Sequence, residues 1–167
     1  RRPAAGLAVN LRMSGLVAVD IDPRNGGFET IDMIEDLHGK LETDALAYTQ
    51  GGGEHRYFLL AADDSMNLPG KLGPGVDLKR NGYCVLAPTQ GVQGVYSWEV
   101  SSNPLEQAVP HPLPDWIRGL GKAVREALVG ADVSDEEDVV RMVSEAIEGL
   151  GRIEAEGLAT AVAAGGH

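Results

Sequence analysis

The chain is poor in cysteine, in aromatic side chains and in positive charge. Cys84 is the only cysteine among 167 residues, which excludes an internal disulfide framework and a cysteine-based zinc site. Its place inside an apolar run assigns it to core packing in a reducing interior. Fourteen Lys and Arg face 25 Asp and Glu, a formal net charge of -11, and that balance argues against a simple basic nucleic-acid binder. No apolar run approaches the ~20 residues of a membrane span, and no signal-peptide pattern is visible. A cytoplasmic protein with no membrane contact is therefore expected. Aromatic residues are few and glycine is abundant, 22 in all, so many turns and close backbone contacts are expected.

The length suits one ordinary domain, or a small domain with an appendage. Charge is unevenly spread: residues 131–167 carry nine acidic and two basic side chains, so most of the negative balance lies in the tail. The pattern predicts strands over 7–11, 16–22, 44–50, 54–61, 76–80, 83–87 and 94–100. A helix is predicted from Phe28, with Phe28, Ile31, Ile34 and Leu37 as its apolar stripe. Glu29, Asp32, Glu35 and Asp36 fall on its solvated side, and Gly39 is its stop. The glycines at 51–53 join two strands as a hairpin. Residues 62–75 read as loop, and Asn81-Gly82 as a second hairpin turn. Residues 101–114 are proline-rich and form a linker or an edge wrap. Beyond them the period becomes helical, with a Ser134–Glu137 capping box. His38 and His111 read as surface residues, and Tyr96 and Trp98 as packing on one strand face.

One stretch carries chemistry. Residues 16–24, LVAVDIDPR, run from a buried strand into Asp20 and Asp22. Side chains two apart on a strand share a face, with roots about 6.6 Å apart. Such carboxylates repel unless a hard divalent ion such as Mg²⁺ or Mn²⁺ joins them; the alternative is a strand-end turn that Asp caps. The Gly51–Gly53 run precedes His55, where amides and an imidazole suit a phosphate. Asp77 adds a third carboxylate on another strand. Arg24, Arg56, Lys79 and Arg80 lie close by, either as phosphate contacts or as plain surface charges. Tyr57 shares its strand face with His55.

The ordered set VDIDPRNGG, YTQGGGEHRYF, GVDLKRNGYCVLAPT and VYSWE resembles the bifunctional DNA primase/polymerase (prim-pol) domain of the archaeo-eukaryotic primase superfamily. The resemblance spans residues 7–117. It implies that Asp20, Asp22 and Asp77 hold two divalent ions. It also implies that His55 meets the incoming nucleotide's phosphates, helped by the turn amides of Gly52 and Gly53, with Arg56 and Lys79 nearby. The chemistry implied is two-metal phosphoryl transfer. The chain departs from the family in having Gly51 where a serine often stands. Only about fifteen residues precede the motif strand, so a catalytic core lacking an N-terminal segment is expected.

The expected fold is α+β. A mixed or antiparallel sheet with partly RNA-recognition-motif-like topology forms a catalytic core over 1–113, and residues 114–167 form a C-terminal helical appendage. The expected activity is that of a DNA primase/polymerase in plasmid or phage replication. Its partners would be a single-stranded DNA template, NTP or dNTP, and a replicative helicase. Two alternatives stand beside it: a Mn-dependent glycosyltransferase built on the Asp-x-Asp pair, and an inactive primase-like nucleotide-binding module.

Overall fold

The computed structural model describes residues 5–61, 68–104, 109–120 and residue 145. Its order is β1 (Leu7–Asn10), β2 (Leu16–Ile21), a 3-10 turn (Pro23–Asn25), α1 (Gly27–His38), β3 (Leu46–Tyr48), β4 (Glu54–Leu59), β5 (Lys71–Gly73), β6 (Val76–Lys79), β7 (Tyr83–Leu86), β8 (Thr89–Gln90), β9 (Val95–Trp98) and β10 (His111–Pro112). Residues 115–120 are helical. The main sheet runs β5-β6-β2-β4-β3-β9-β8, and β1 pairs with β7 in a separate ribbon. All pairings are antiparallel except β10 on β4. The described chain is thus a mixed α+β structure. No helix among the described residues is long and apolar enough to cross a membrane.

β2 is central because it is apolar on both faces. Val17, Val19 and Ile21 point to one face, where Ile31 and Ile34 of α1 pack with Phe58, Leu78, Leu113, Ile117 and Leu120. Ala18 points to the other, into a smaller core with Leu11, Ala45, Ala47, Tyr57 and Cys84. The β1–β7 ribbon supplies the far side of that second core through Val9, Cys84 and Leu86. Three small alanines leave room there for the Tyr57 ring.

Four expectations need correction. The buried face of α1 is Gly27, Thr30, Ile31, Ile34 and Glu35, while Phe28 and Leu37 are exposed. Gly27 lies flush on backbone, where a Cβ would come 2.5 Å from the Gly75 carbonyl oxygen, and this contact turns its line of the helix inward. Glu35 is accordingly buried rather than solvated. Its carboxylate accepts from Lys40 Nζ (2.6 Å), Arg56 Nη1 (2.6 Å) and the Leu41 amide (3.1 Å). These donors hold its pKa below the usual range against the upward push of burial.

The stretch 62–75 contains β5, which the glycines and prolines around it concealed. Asn81-Gly82 does turn the chain, with Gly82 at φ 76°, but it makes no hairpin. β6 already has β5 on one edge and β2 on the other, so β7 leaves the sheet and pairs with β1. The proline-rich exit is an edge wrap that gains two strand residues in β10. His38 and His111 are partly exposed and each has a partner: His38 stacks on Trp116 (ring centroids 4.5 Å apart), and His111 pairs with Asp44 at 3.3 Å. The helices expected beyond residue 120 lie outside the described residues.

Candidate active site

Cross-strand register builds the site. Asp20 on β2 lies directly opposite His55 on β4 and opposite Asp77 on β6. The three side chains therefore form a row across one sheet face. Lys79, two residues beyond Asp77, shares that face. Its ammonium donates to Asp20 Oδ2, and His55 Nε2 lies 3.3 Å from Asp20 Oδ1. Both oxygens of Asp20 thus meet a cationic partner.

These contacts set the titration. Burial pushes the Asp20 carboxyl up, but hydrogen bonds from His55 and Lys79 outweigh it and hold it at about 2. Burial pulls the His55 imidazole down, but the Asp20 bond and the contact with Cys84 raise it to about 9. Lys79 is likewise raised: the Asp20 bond overcomes burial. Burial drives the Tyr57 phenol up, so it keeps its proton.

The pair imposes a pH dependence on the metal-free fold. The Asp20 contribution is present above pH 3.8 and lost as pH falls through about 2. The His55 contribution is present below pH 6.5 and lost as pH rises through about 9. Thermal unfolding in chelator should show a plateau between those limits and a falling alkaline limb. His55→Gln should flatten the alkaline limb. An equally steep limb in that variant would assign it to another group.

Asp22 behaves differently. The strand ends at Ile21, and Asp22 caps the 3-10 turn. Its Oδ1 accepts from the Arg24 amide and Nε (3.0 Å each), and Oδ2 accepts from Arg24 Nη2 (3.0 Å) and Asn25 Nδ2 (2.9 Å). The two strand acids do not converge, because Pro23 and the cap divert the second. The capping alternative describes Asp22 in this structure.

A cavity of about 440 Å³ opens over the row, lined by Asp20, Asp22, Arg24, His55 and Lys79 on its charged side. Tyr83, Val85, Val92 and Tyr96 give it an apolar side. Asp77 stands next to Asp20 in register but does not line the cavity. Arg56 is not at this site. Adjacent strand residues face opposite ways, and Arg56 points to the α1 side, donating to Glu35 Oε1 and Glu54 Oε2.

Gly52 and Gly53 close the turn beside the cavity without offering amides to it. The Gly52 amide donates to the Thr49 carbonyl (3.1 Å) and the Gly53 amide to Thr49 Oγ1 (3.1 Å). Sequence reasoning passed over four participants. Arg24 it left undecided, Cys84 it assigned to packing, and Tyr57 it placed on the His55 face without a role. Gln50 it did not single out: its Oε1 accepts from the Gln93 amide (3.1 Å), tying the 90–94 turn to the cavity rim.

A family model described as "Bifunctional DNA primase/polymerase, N-terminal" matches residues 1–116. The chain belongs to the Prim-Pol family. No curated protein and no solved structure matches it. The Prim-Pol match covers every strand and side chain of the site just described.

Prim-Pol enzymes generally use divalent metals. Among the described residues, no group of three His, Cys, Asp or Glu side chains converges as a metal cage. The reason is local: Lys79 holds Asp20, and Arg24 holds Asp22. The donors nevertheless fit in kind. Asp20 and Asp77 are hard oxygen ligands set directly opposite each other, an arrangement that repels without a cation between.

Proposed function

We propose that this Prim-Pol domain is a template-directed nucleotidyltransferase, a DNA primase/polymerase of plasmid or phage replication. The Asp20–His55 pair lining a nucleotide-sized cavity, with Asp77 in register beside Asp20, carries the reading. Asp20 and Asp77, with Asp22, are the residues that would hold divalent ions. When bound, those ions supply Lewis acidity for the attacking 3′-hydroxyl and charge neutralisation for the leaving pyrophosphate.

The chain's own groups do the rest. His55 and Lys79 stand where a triphosphate tail would meet positive charge. Tyr83, Val92 and Tyr96 offer an apolar wall to the base and sugar. Residues 1–113 serve as the catalytic core, with a partly RNA-recognition-motif-like sheet, and residues 114–167 as a helical appendage. Single-stranded DNA, NTP or dNTP and a replicative helicase are the partners in this reading.

The direct test is primer synthesis and extension on a single-stranded polypyrimidine template, with Mg²⁺ or Mn²⁺ and all eight nucleotides. Template-dependent product is expected. Hydrolysis of a sugar nucleotide without template use would place the site among the glycosyltransferases instead. Nucleotide and metal binding without product would mark an inactive module.

A second expectation concerns the ammonium on Asp20. Lys79 competes with any metal for that carboxylate. Lys79→Met should therefore tighten Mn²⁺ binding about fivefold, the scale of a half-exposed ion pair, as read by isothermal titration calorimetry. Unchanged or weaker binding would show that Lys79 leaves Asp20 open to the metal.

A further inference from the structure

We propose that the free edge of β7 holds the base of the bound nucleotide, the Val85 amide donating to the ring acceptor that every base carries on its minor-groove side. This rests on the reading of the cavity as a nucleotide site.

Register decides which backbone groups β7 leaves over. Opposite residues of an antiparallel ladder alternate between bonded and unbonded pairs. The Leu11 amide donates to the Gly82 carbonyl (3.1 Å), one step beyond the last pair of the β1–β7 register. Val9 and Cys84 are therefore a bonded pair, whereas Val85 opposite Ala8 and Tyr83 opposite Asn10 are not. The N–H and C=O groups of Tyr83 and Val85 thus point to the edge away from β1. Among the described residues no strand pairs with that edge.

The edge faces the cavity. Side chains alternate along a strand, yet Tyr83, Cys84 and Val85 all line that one space, which three residues in a row reach through a shared edge. The Val85 carbonyl marks the direction. It accepts from the Tyr57 hydroxyl (3.2 Å), and that hydroxyl lies 3.3 Å from His55 Nδ1. The Val85 amide lies on the same side of the same residue, and among the described residues it has no partner. A backbone donor turned into a cavity calls for an acceptor.

The acceptor follows from where β7 stands. His55 and Lys79 make the phosphate side of the cavity, and Tyr83, Val85 and Tyr96 the side for the base. In template-directed synthesis the Watson–Crick edge of the base belongs to the template. Purine N3 and pyrimidine O2 are left, acceptors on the minor-groove side that do not tell one base from another. One N–H placed there holds any base without reading its identity.

The experiment measures binding of ATP, 3-deaza-ATP and 2′-deoxy-ATP to the full chain in Mg²⁺ by isothermal titration calorimetry. 3-Deaza-ATP has C–H in place of N3 and keeps the Watson–Crick edge and the sugar. It is expected to bind about tenfold more weakly than ATP, the scale of a donor left unmet, with 2′-deoxy-ATP within twofold of ATP. Val85→Pro removes the amide hydrogen at an edge position, where the ladder keeps its bonds. In that variant ATP and 3-deaza-ATP should bind alike. Equal binding of ATP and 3-deaza-ATP by wild type overturns the proposal, as does undiminished discrimination by Val85→Pro. A loss with 2′-deoxy-ATP that matches the loss with 3-deaza-ATP would give the edge to the sugar and overturn it too.

Amide hydrogen exchange of the wild-type chain needs no variant to fold. The Val85 amide should exchange at least about tenfold more slowly with ATP bound than with 3-deaza-ATP bound. The Cys84 amide, bonded across to Val9, should exchange alike in both. Val85 exchange that does not distinguish the two ligands overturns the proposal. Failure of ATP itself to bind is a different result: it removes the nucleotide reading of the cavity, and the base contact with it.

Discussion

Replacing Asp20 with Asn should reduce template-directed nucleotide incorporation by about 10³-fold or more, the scale on which a preorganised charge at a reacting centre acts. The position has no substitute. Its carboxylate is in register with Asp77 on one side and His55 on the other, and it pairs with both His55 and Lys79. The amide keeps size and shape but carries no charge. It leaves the Lys79 ammonium and the His55 imidazole beside each other without their counterion, so His55 should also lose the shift that keeps it protonated.

Two measurements separate catalysis from folding. Circular dichroism at neutral pH should show the wild-type fold, and the alkaline limb of the stability profile should flatten as in His55→Gln. Asp77→Asn should lose incorporation as well while leaving that limb in place, because Asp77 is not among the groups that shift His55. Extension at wild-type rates by Asp20→Asn would end the nucleotidyltransferase assignment.

Gly53→Ala should cost about 3 kcal/mol of stability and lower the unfolding midpoint by roughly 10 °C. A Cβ at Gly53 would sit 2.2 Å from the Ile21 carbonyl oxygen and 3.0 Å from Pro23 Cδ. Both are parts of the segment that carries Asp20 and Asp22, and neither is the end of a flexible side chain. The β3–β4 turn must therefore move, or the end of β2 must.

Gly52 is the control. It has φ 81° but nothing within 4 Å of a Cβ, so Gly52→Ala meets only left-handed backbone strain, about 1 kcal/mol. The two neighbours look alike in sequence and should differ threefold in cost when unfolding is followed in urea. Equal costs would refute the close-approach argument. Activity in surviving Gly53→Ala protein should fall too, since the displaced turn borders the cavity.

These glycines show how the sequence could mislead. A Gly-Gly-Gly-x-His run is legible as a hairpin beside a histidine, and β3 and β4 do pair across it. The phosphate role assigned to its amides required knowing that Thr49 accepts from two of them. Motif order singled out Asp20, His55 and Asp77, and nearness to the motifs Lys79; cross-strand register puts the first three in one row. Arg56 was misplaced by proximity in sequence, although alternation from His55 already turns it to the other face. Asp22 was taken for a strand residue because its parity matched; the Pro-Arg-Asn that follows makes a cap with its own cation.

The β6–β7 crossing was hidden for a different reason. Asn-Gly reports the local turn, whereas the free edge that decides pairing belongs to the whole sheet. Cys84 carries no pattern of its own. Its contact with His55 exists only once β1 and β7 fold over the alanine-lined face. Composition could not separate that from ordinary packing.

β4 is stitched along one margin by two unrelated pieces of chain. β3 covers it from Glu54 to Arg56, and β10 covers it at Phe58 and Leu59, with the Leu113 amide adding a bond to the Leu59 carbonyl. The prolines at 110, 112 and 114 are thus the hem of the strand that bears the imidazole. A version of the domain trimmed ahead of them would leave raw amides and carbonyls beside Phe58, a template on which a neighbouring chain could add its own strand. Ile117 and Leu120 would leave with them, opening the floor of the main core. The exit segment is therefore the seal of the fold as well as its way out.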